Sequence, residues 1–216
     1  CTVEISSSQT ARAVFAQIAP QSMNLFTYAR SCWLQTYQNN YSCPAGSLPD
    51  FHDELRVDYG GGEIAYITAD GAIVQPPGVP GLQSTIEASA VGQWFARGGQ
   101  RISATYFKDI LITSNTLPPQ TPVTVKATFT VELAHNLDVT LSEPPYIQWS
   151  AQLPYLFASV QVAGSTEDVG LGTNGGGPTG PVAQTLNRSI DVTFVGVVGG
   201  SFEARIDLLA DMSTIQ

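Results

Sequence analysis

Two histidines, three cysteines and a few short acidic runs are the groups on which chemistry could rest in this chain of 216 residues. His52 stands beside Asp53 and Glu54, a grouping that could move protons or hold a metal, although a solvated acidic loop uses the same residue types. His135 follows an alternating run and precedes Asn136, which reads as turn duty. No G-x-S-x-G elbow, H-E-x-x-H pair, phosphate-binding glycine loop or C-x-x-C motif accompanies them. The expectation is a protein that is not an enzyme, without catalytic residues.

Hard cations ask for several oxygen ligands on a bendable backbone. Asp50, Asp53, Glu54 and Asp58 offer one such set, and Glu167-Asp168 beside glycines offers another. Neither has the spacing of an EF-hand loop or of a glycine-aspartate nonapeptide array. The metal candidates are thus Asp50, Asp53 and Asp168, for calcium, and the default expectation is no cofactor.

Contact chemistry has a richer source. Phe26, Tyr28, Trp33, Tyr37 and Tyr41 are interleaved with Gln35, Gln38, Asn39 and Asn40. Aromatic faces with neighbouring amides suit sugars, protein surfaces also favour Tyr and Trp, and rings of this kind can simply close one end of a fold. Asn40-Tyr41-Ser42 and Asn187-Arg188-Ser189 match the glycosylation sequon, a pattern that also arises by chance.

Cys32 and Cys43 are close enough in sequence for a local disulfide, the alternative being two unpaired structural thiols. Cys1 is left over: a lipid-modified first residue, an intermolecular partner, or a third thiol that reshuffles the pairing. Starting at Cys1, the chain reads as a processed or trimmed product, and no apolar segment long enough to span a membrane occurs in it.

The elements that must carry these groups read as strands. In Pro122–Ala134, the residues Val123, Val125, Ala127, Phe129, Val131 and Leu133 alternate with Thr124, Lys126, Thr128, Thr130 and Glu132, a strand with one buried face. Ser189–Val198 and Ser201–Met212 alternate likewise, and Gly199-Gly200 between them predicts a hairpin. A second tight hairpin is predicted at Asp70-Gly71, between Glu63–Ala69 and Ala72–Gln75. Arg101–Thr113 slips phase near Phe107–Asp109, where either a bulge or an inward Lys108 restores the pattern. Pro154–Gly164 is a further strand.

Two regions break the rhythm. Ser22–Asn39 carries Met23, Phe26, Ala29, Trp33 and Tyr37 at spacings of three and four, which predicts one short helix near the N-terminus; Leu25, Ala29, Cys32 and Thr36 fit nearly as well. Gly164–Pro181, with seven glycines and two prolines, predicts no regular element. The reading is one all-β domain over residues 1–216, an antiparallel β-sandwich or jelly roll. Within it the loosely alternating segment 2–18 is a strand that could pair with a neighbouring subunit.

Composition narrows the setting. Apolar residues make up 43%, enough for a core, and charged residues only 12%, about half the usual share. A formal net charge of −9 repels phosphate backbones and anionic membrane surfaces, so nucleic acid is excluded as a partner. Copies of the chain repel one another too, less so as salt rises.

The run ASAVGQWFARGGQRISATYFKDILITSNTLPPQTPVTVKATFTVELA (Ala88–Ala134) and the later IDVTFVGVVGGSFEARIDLLA resemble bacterial secreted proteins of the exosortase-sorted, PEP-CTERM type. Those chains pair small-residue alternation with an aromatic-x-Asp strand end, a proline loop and a Thr/Val strand. The likeness is compositional and spans about half the chain; the family's sorting tail does not follow Gln216. It implies a surface or matrix protein and carries over no catalytic residue. Taken together, the expectation is an extracellular or cell-surface structural protein, self-assembling or bound to other surface proteins, with carbohydrate binding as the alternative.

Overall fold

The computed structural model describes residues 2–6, 12–14, 23–44, 50–75, 79–90, 96–137, 150–172 and 182–215. Its strands are β1 (Thr2–Ser6), β2 (Arg12–Val14), β3 (Asn24–Thr36), β4 (Asn40–Ser42), β5 (Asp50–Gly60), β6 (Glu63–Ile73) and β7 (Leu82–Ala90). They continue with β8 (Ala96–Leu111), β9 (Pro122–Leu137), β10 (Ser150–Val162), β11 (Ser165–Leu171), β12 (Val182–Val197) and β13 (Ser201–Ile215). All pairings are antiparallel, and no helix occurs among the described residues.

Three sheets form: a wide one of six strands ordered β11-β10-β13-β8-β3-β4, a long cover of four ordered β12-β9-β1-β2, and a short cover of three ordered β5-β6-β7. The wide sheet is one layer of a sandwich, and the two covers share its inner face. On β8 the inward row is Ala96, Gly98, Gln100, Ile102, Ala104 and Tyr106. Its first part meets the short cover, where Ala96, Cys32 and Leu34 cluster with Ala65, Ile67 and Ala69. Its later part joins the main core: Ala104 and Tyr106 with Val123, Val125, Ala127, Phe129, Val160, Ile190 and Val192. Ile102 stands where the covers meet, because a Cβ on Gly71 of the short cover would lie 2.3 Å from its Cδ1.

The strand readings of the C-terminal half hold. Val123, Val125, Ala127, Phe129, Val131 and Leu133 are all buried. Several connections differ from expectation. β12 and β13 do not pair as a hairpin: β12 runs its whole length along β9, from Val182↔Leu137 to Val197↔Pro122, whereas β13 lies between β8 and β10. Gly199, with φ +86°, helps carry the chain from one layer to the other. The crossing is tied to the proline loop, since Val198 N donates to Thr121 O at 3.0 Å and Gly199 N to Ile112 O at 2.8 Å. The reason lies in the core. Phe194 and Phe202, each on the inward row of its own layer, meet edge to face with centroids 4.9 Å apart.

Asp70-Gly71 is likewise no turn; both lie inside β6, which pairs on its two sides with β5 and β7. The tight hairpins sit elsewhere. Gly60 at the end of β5 and Gly61-Gly62 after it all have positive φ where the chain turns into β6, and Ala163-Gly164, at φ +48° and +85°, make a two-residue turn of the I′ kind between β10 and β11. Ser165–Leu171 is therefore a strand, against the expectation for that glycine-rich stretch; residues 173–181 lie outside the described residues. β8 needs no bulge at Phe107–Asp109, because Lys108 keeps the inward phase half-buried, and the register shift falls instead on β3 between Leu25 and Thr27.

Residues 24–36, predicted as helix, are strand β3. Spacings of three and four coexist there with an inward period of two over Arg30, Cys32, Leu34 and Thr36, and ladder bonds to β8 decide in favour of the strand. The segment expected to reach a neighbour lies in part along its own chain, Thr2–Ser6 pairing with Thr124–Thr128 of β9. Cys1 and residues 15–18 lie outside the described residues.

Candidate functional site

Three places gather the chain's polar and aromatic chemistry: a buried network beneath the short cover, the outer face of the wide sheet, and the edge of the long cover.

The network centres on Arg30, whose side chain is 2% exposed and pairs with Asp53 at 7%. A buried guanidinium must satisfy five N–H donors. Nη1 goes to Asp53 Oδ2; Nε and Nη2 go to Gln100 Oε1 at 3.0 and 2.6 Å; Nη2 also reaches Ala69 O at 3.1 Å. Its plane carbon lies 4.9 Å from the Phe51 ring centre. Gln100 in turn donates to Asp70 O at 2.6 Å and Ser84 Oγ at 2.9 Å, so one carboxamide links β3 to both β6 and β7. Tyr41 OH donates to Asp53 Oδ1 at 2.9 Å, and that hydrogen bond raises the Tyr41 pKa above its ordinary value. Cys32 and Cys43 lie at disulfide distance with Cα atoms 5.2 Å apart, the pairing expected from sequence, and they hold β4 against β3 beside this network.

The candidates scatter across both faces of their strands. On β5, Asp53 is buried while Asp50, His52, Glu54 and Asp58 are exposed, so strand alternation sets Asp53 back to back with the other acids. His52 meets Asp70 across the strand pair, Nδ1 to Oδ1 at 2.6 Å, and that contact raises its pKa. Asp58 Oδ1 accepts from Gly60 N at 2.8 Å, a turn contact. On β11, Asp168 is exposed opposite Ser159 of β10, with Glu167 on the other face. The sulfurs of Cys32 and Cys43 and a carboxylate oxygen of Asp53 fall within 4.8 Å of one another, yet the sulfurs pair and Arg30 already neutralises the carboxylate. That donor set fits a cation poorly. His135 lies within β9, not at a turn.

Nor do the aromatics form one surface. Tyr28 and Tyr41 turn toward the short cover, Tyr28 beside Phe51 at 6.3 Å between ring centres and Tyr41 on Asp53. Phe26 lies on the outer face, edge to face with Phe107 at 5.3 Å. Trp33 lies on that outer face too, opposite Gly99 and Ser42. Tyr37 follows β3, exposed. Arg30 and Gln100 were absent from the sequence-derived candidates; once β3 is a strand, a charged residue in phase with Cys32, Leu34 and Thr36 is the signal that finds Arg30.

The long cover ends in β12, which has one strand partner, β9, among the described residues. Comparison of the chain with protein-family models, with curated proteins and with solved structures returns no match.

Proposed function

We propose that this chain is a non-catalytic structural protein of the extracellular or cell-surface space that joins copies of itself through strand edges. The observation that carries the reading is β12, a strand of 16 residues at the edge of its sheet among the described residues, with Thr185, Ser189 and Thr193 exposed along it and Val195 exposed at 74%. An edge this long, free of proline and lysine, is a template for another strand, since its outer N–H and C=O groups need partners. The Cys32–Cys43 pair supports an oxidising compartment, and no described helix is long and apolar enough to cross a membrane. The compositional likeness of Ala88–Ala134 to exosortase-sorted surface proteins points the same way.

Sedimentation velocity and electron microscopy of the intact chain test the reading. Particles larger than the 23.0 kDa monomer are expected, growing with salt as repulsion between chains of charge −9 is screened. Val195→Lys is expected to shift the distribution to monomer at unchanged thermal stability. A monomer under all concentrations and salts overturns the proposal.

A further inference from the structure

We infer that the Trp33 indole is a stacking platform for a neutral polysaccharide on the outer face of the wide sheet. The platform is built by a Gly98-Gly99 dipeptide that serves both faces of β8. A Cβ on Gly98 would lie 2.5 Å from Ile67 Cδ1, so this glycine lets the short cover approach from inside. A Cβ on Gly99 would lie 2.6, 3.1 and 3.4 Å from Nε1, Cε2 and Cζ2 of Trp33. Three ring atoms crowd one point, so the indole lies against the backbone of β8 in the space a side chain would fill. No strand layer covers the ring among the described residues; the Arg97 guanidinium lies over it, and the residue is 44% exposed.

Around the ring the outer face is polar and held in place. Ser42 stands directly across on β4, and Ser31 lies two residues along β3. Gln35 Oε1 accepts from Arg97 Nε, which fixes both side chains, and the Arg97 guanidinium carbon lies 6.0 Å from the indole centre. Cys32, adjacent to Trp33, is tied to Cys43, so the strand beneath the ring is braced. A flat aromatic surface that loses little freedom on binding, ringed by hydroxyl and amide groups, matches the C–H face and equatorial hydroxyls of a pyranose. An aromatic with nearby arginine also suits a stacked nucleobase, but a chain of charge −9 repels the attached phosphates, and the same repulsion disfavours polyanionic glycans.

The test is native affinity electrophoresis of the intact chain through gels that each contain one soluble polysaccharide: a β-1,4-glucan, a xylan, a galactomannan, or alginate as the polyanion. At least one neutral polymer is expected to retard the chain, and Trp33→Ala to weaken that retardation tenfold or more. Phe26→Ala, which removes an exposed ring elsewhere on the same face, is expected to leave it unchanged. Saturation-transfer NMR on the unmutated chain reads stacking directly, as transfer from indole protons to the sugar's C–H protons, and so decides the matter even if Trp33→Ala misfolds. Absence of retardation by every neutral polymer, retardation by alginate alone, equal loss in Phe26→Ala, or no transfer from the indole overturns the inference. Change of particle size in Trp33→Ala without polysaccharide binding also overturns it, assigning the ring to a protein contact instead.

Discussion

The two covers of the wide sheet hold on by different chemistry. Under the long cover the contact is aliphatic and aromatic: Val123, Val125, Phe129, Val160, Val162, Ile190, Val192 and Phe202 pack without a buried charge among them. Under the short cover one apolar cluster is largely small, Ala65, Ala69 and Ala96 with Leu34 and Ile67, while Phe51 and Ile73 reach into the main core, and between the two lies the Arg30 network. Apolar packing is non-directional and scales with area, so the long cover tolerates volume-conserving change. A buried ion pair is directional. It contributes little net stability against an apolar replacement, but it leaves a costly orphan when one partner goes. Adjacent glycines and alanines let the short cover come close, and Arg30, Asp53 and Gln100 set its position along the wide sheet.

The largest effect should come from breaking one side of that network. Asp53→Ala leaves the Arg30 guanidinium buried without its carboxylate and is expected to cost about 3–5 kcal/mol in urea unfolding. The double change Arg30→Met with Asp53→Leu should restore much of this; if it is as unstable as Asp53→Ala, the short cover is not held in the way described. Replacing Cys32 and Cys43 together by Ser should cost about 2–3 kcal/mol, the chain-entropy value for a loop closed over a sequence separation of 11. Equal stability with and without reductant would show that the pair does not brace this end. Val125→Ala, under the long cover, removes two carbons at ~0.8 kcal/mol each and leaves a small cavity, for about 2 kcal/mol in all. Ile190→Leu, which keeps the volume under the same cover, should cost less than that, and a larger loss would mean the apolar half is as exacting as the polar one.

The smallest effect is a pH dependence at the exposed His52–Asp70 contact. Hydrogen bonding to Asp70 raises the folded pKa of His52 above its unfolded value. The stabilisation is therefore complete below the unfolded pKa and is lost as pH rises through the folded one. Thermal unfolding of the chain and of His52→Gln should differ most near about pH 5.5 and converge toward about pH 8.5. A gap that widens with pH would reverse the assignment.

How much of this was legible beforehand varies residue by residue. Val123 to Leu133 announced β9 because one face of that strand meets a continuous apolar core, and period two survives intact. Arg30 was hidden because the neighbouring aromatics mimic helical spacing and because burial of a charge depends on partners 23 and 70 residues away, Asp53 and Gln100. Asp53 drew notice for its acidic neighbours, yet it faces away from them.

Alternation along single segments, a property of adjacent residues, was enough to specify an all-β chain and the inward rows of β9 and β13, whereas the pairing of Cys32 with Cys43 was one of several that the sequence left open. Which strands lie side by side was settled by the assembled layers. Gly199 permits a hairpin or a crossing equally well; the crossing is what the ladders of β12 on β9 and of β13 between β8 and β10 require, with Phe194 meeting Phe202 across the core. Long-range pairing answers to how whole faces fit together, and no local stretch of residues encodes that fit.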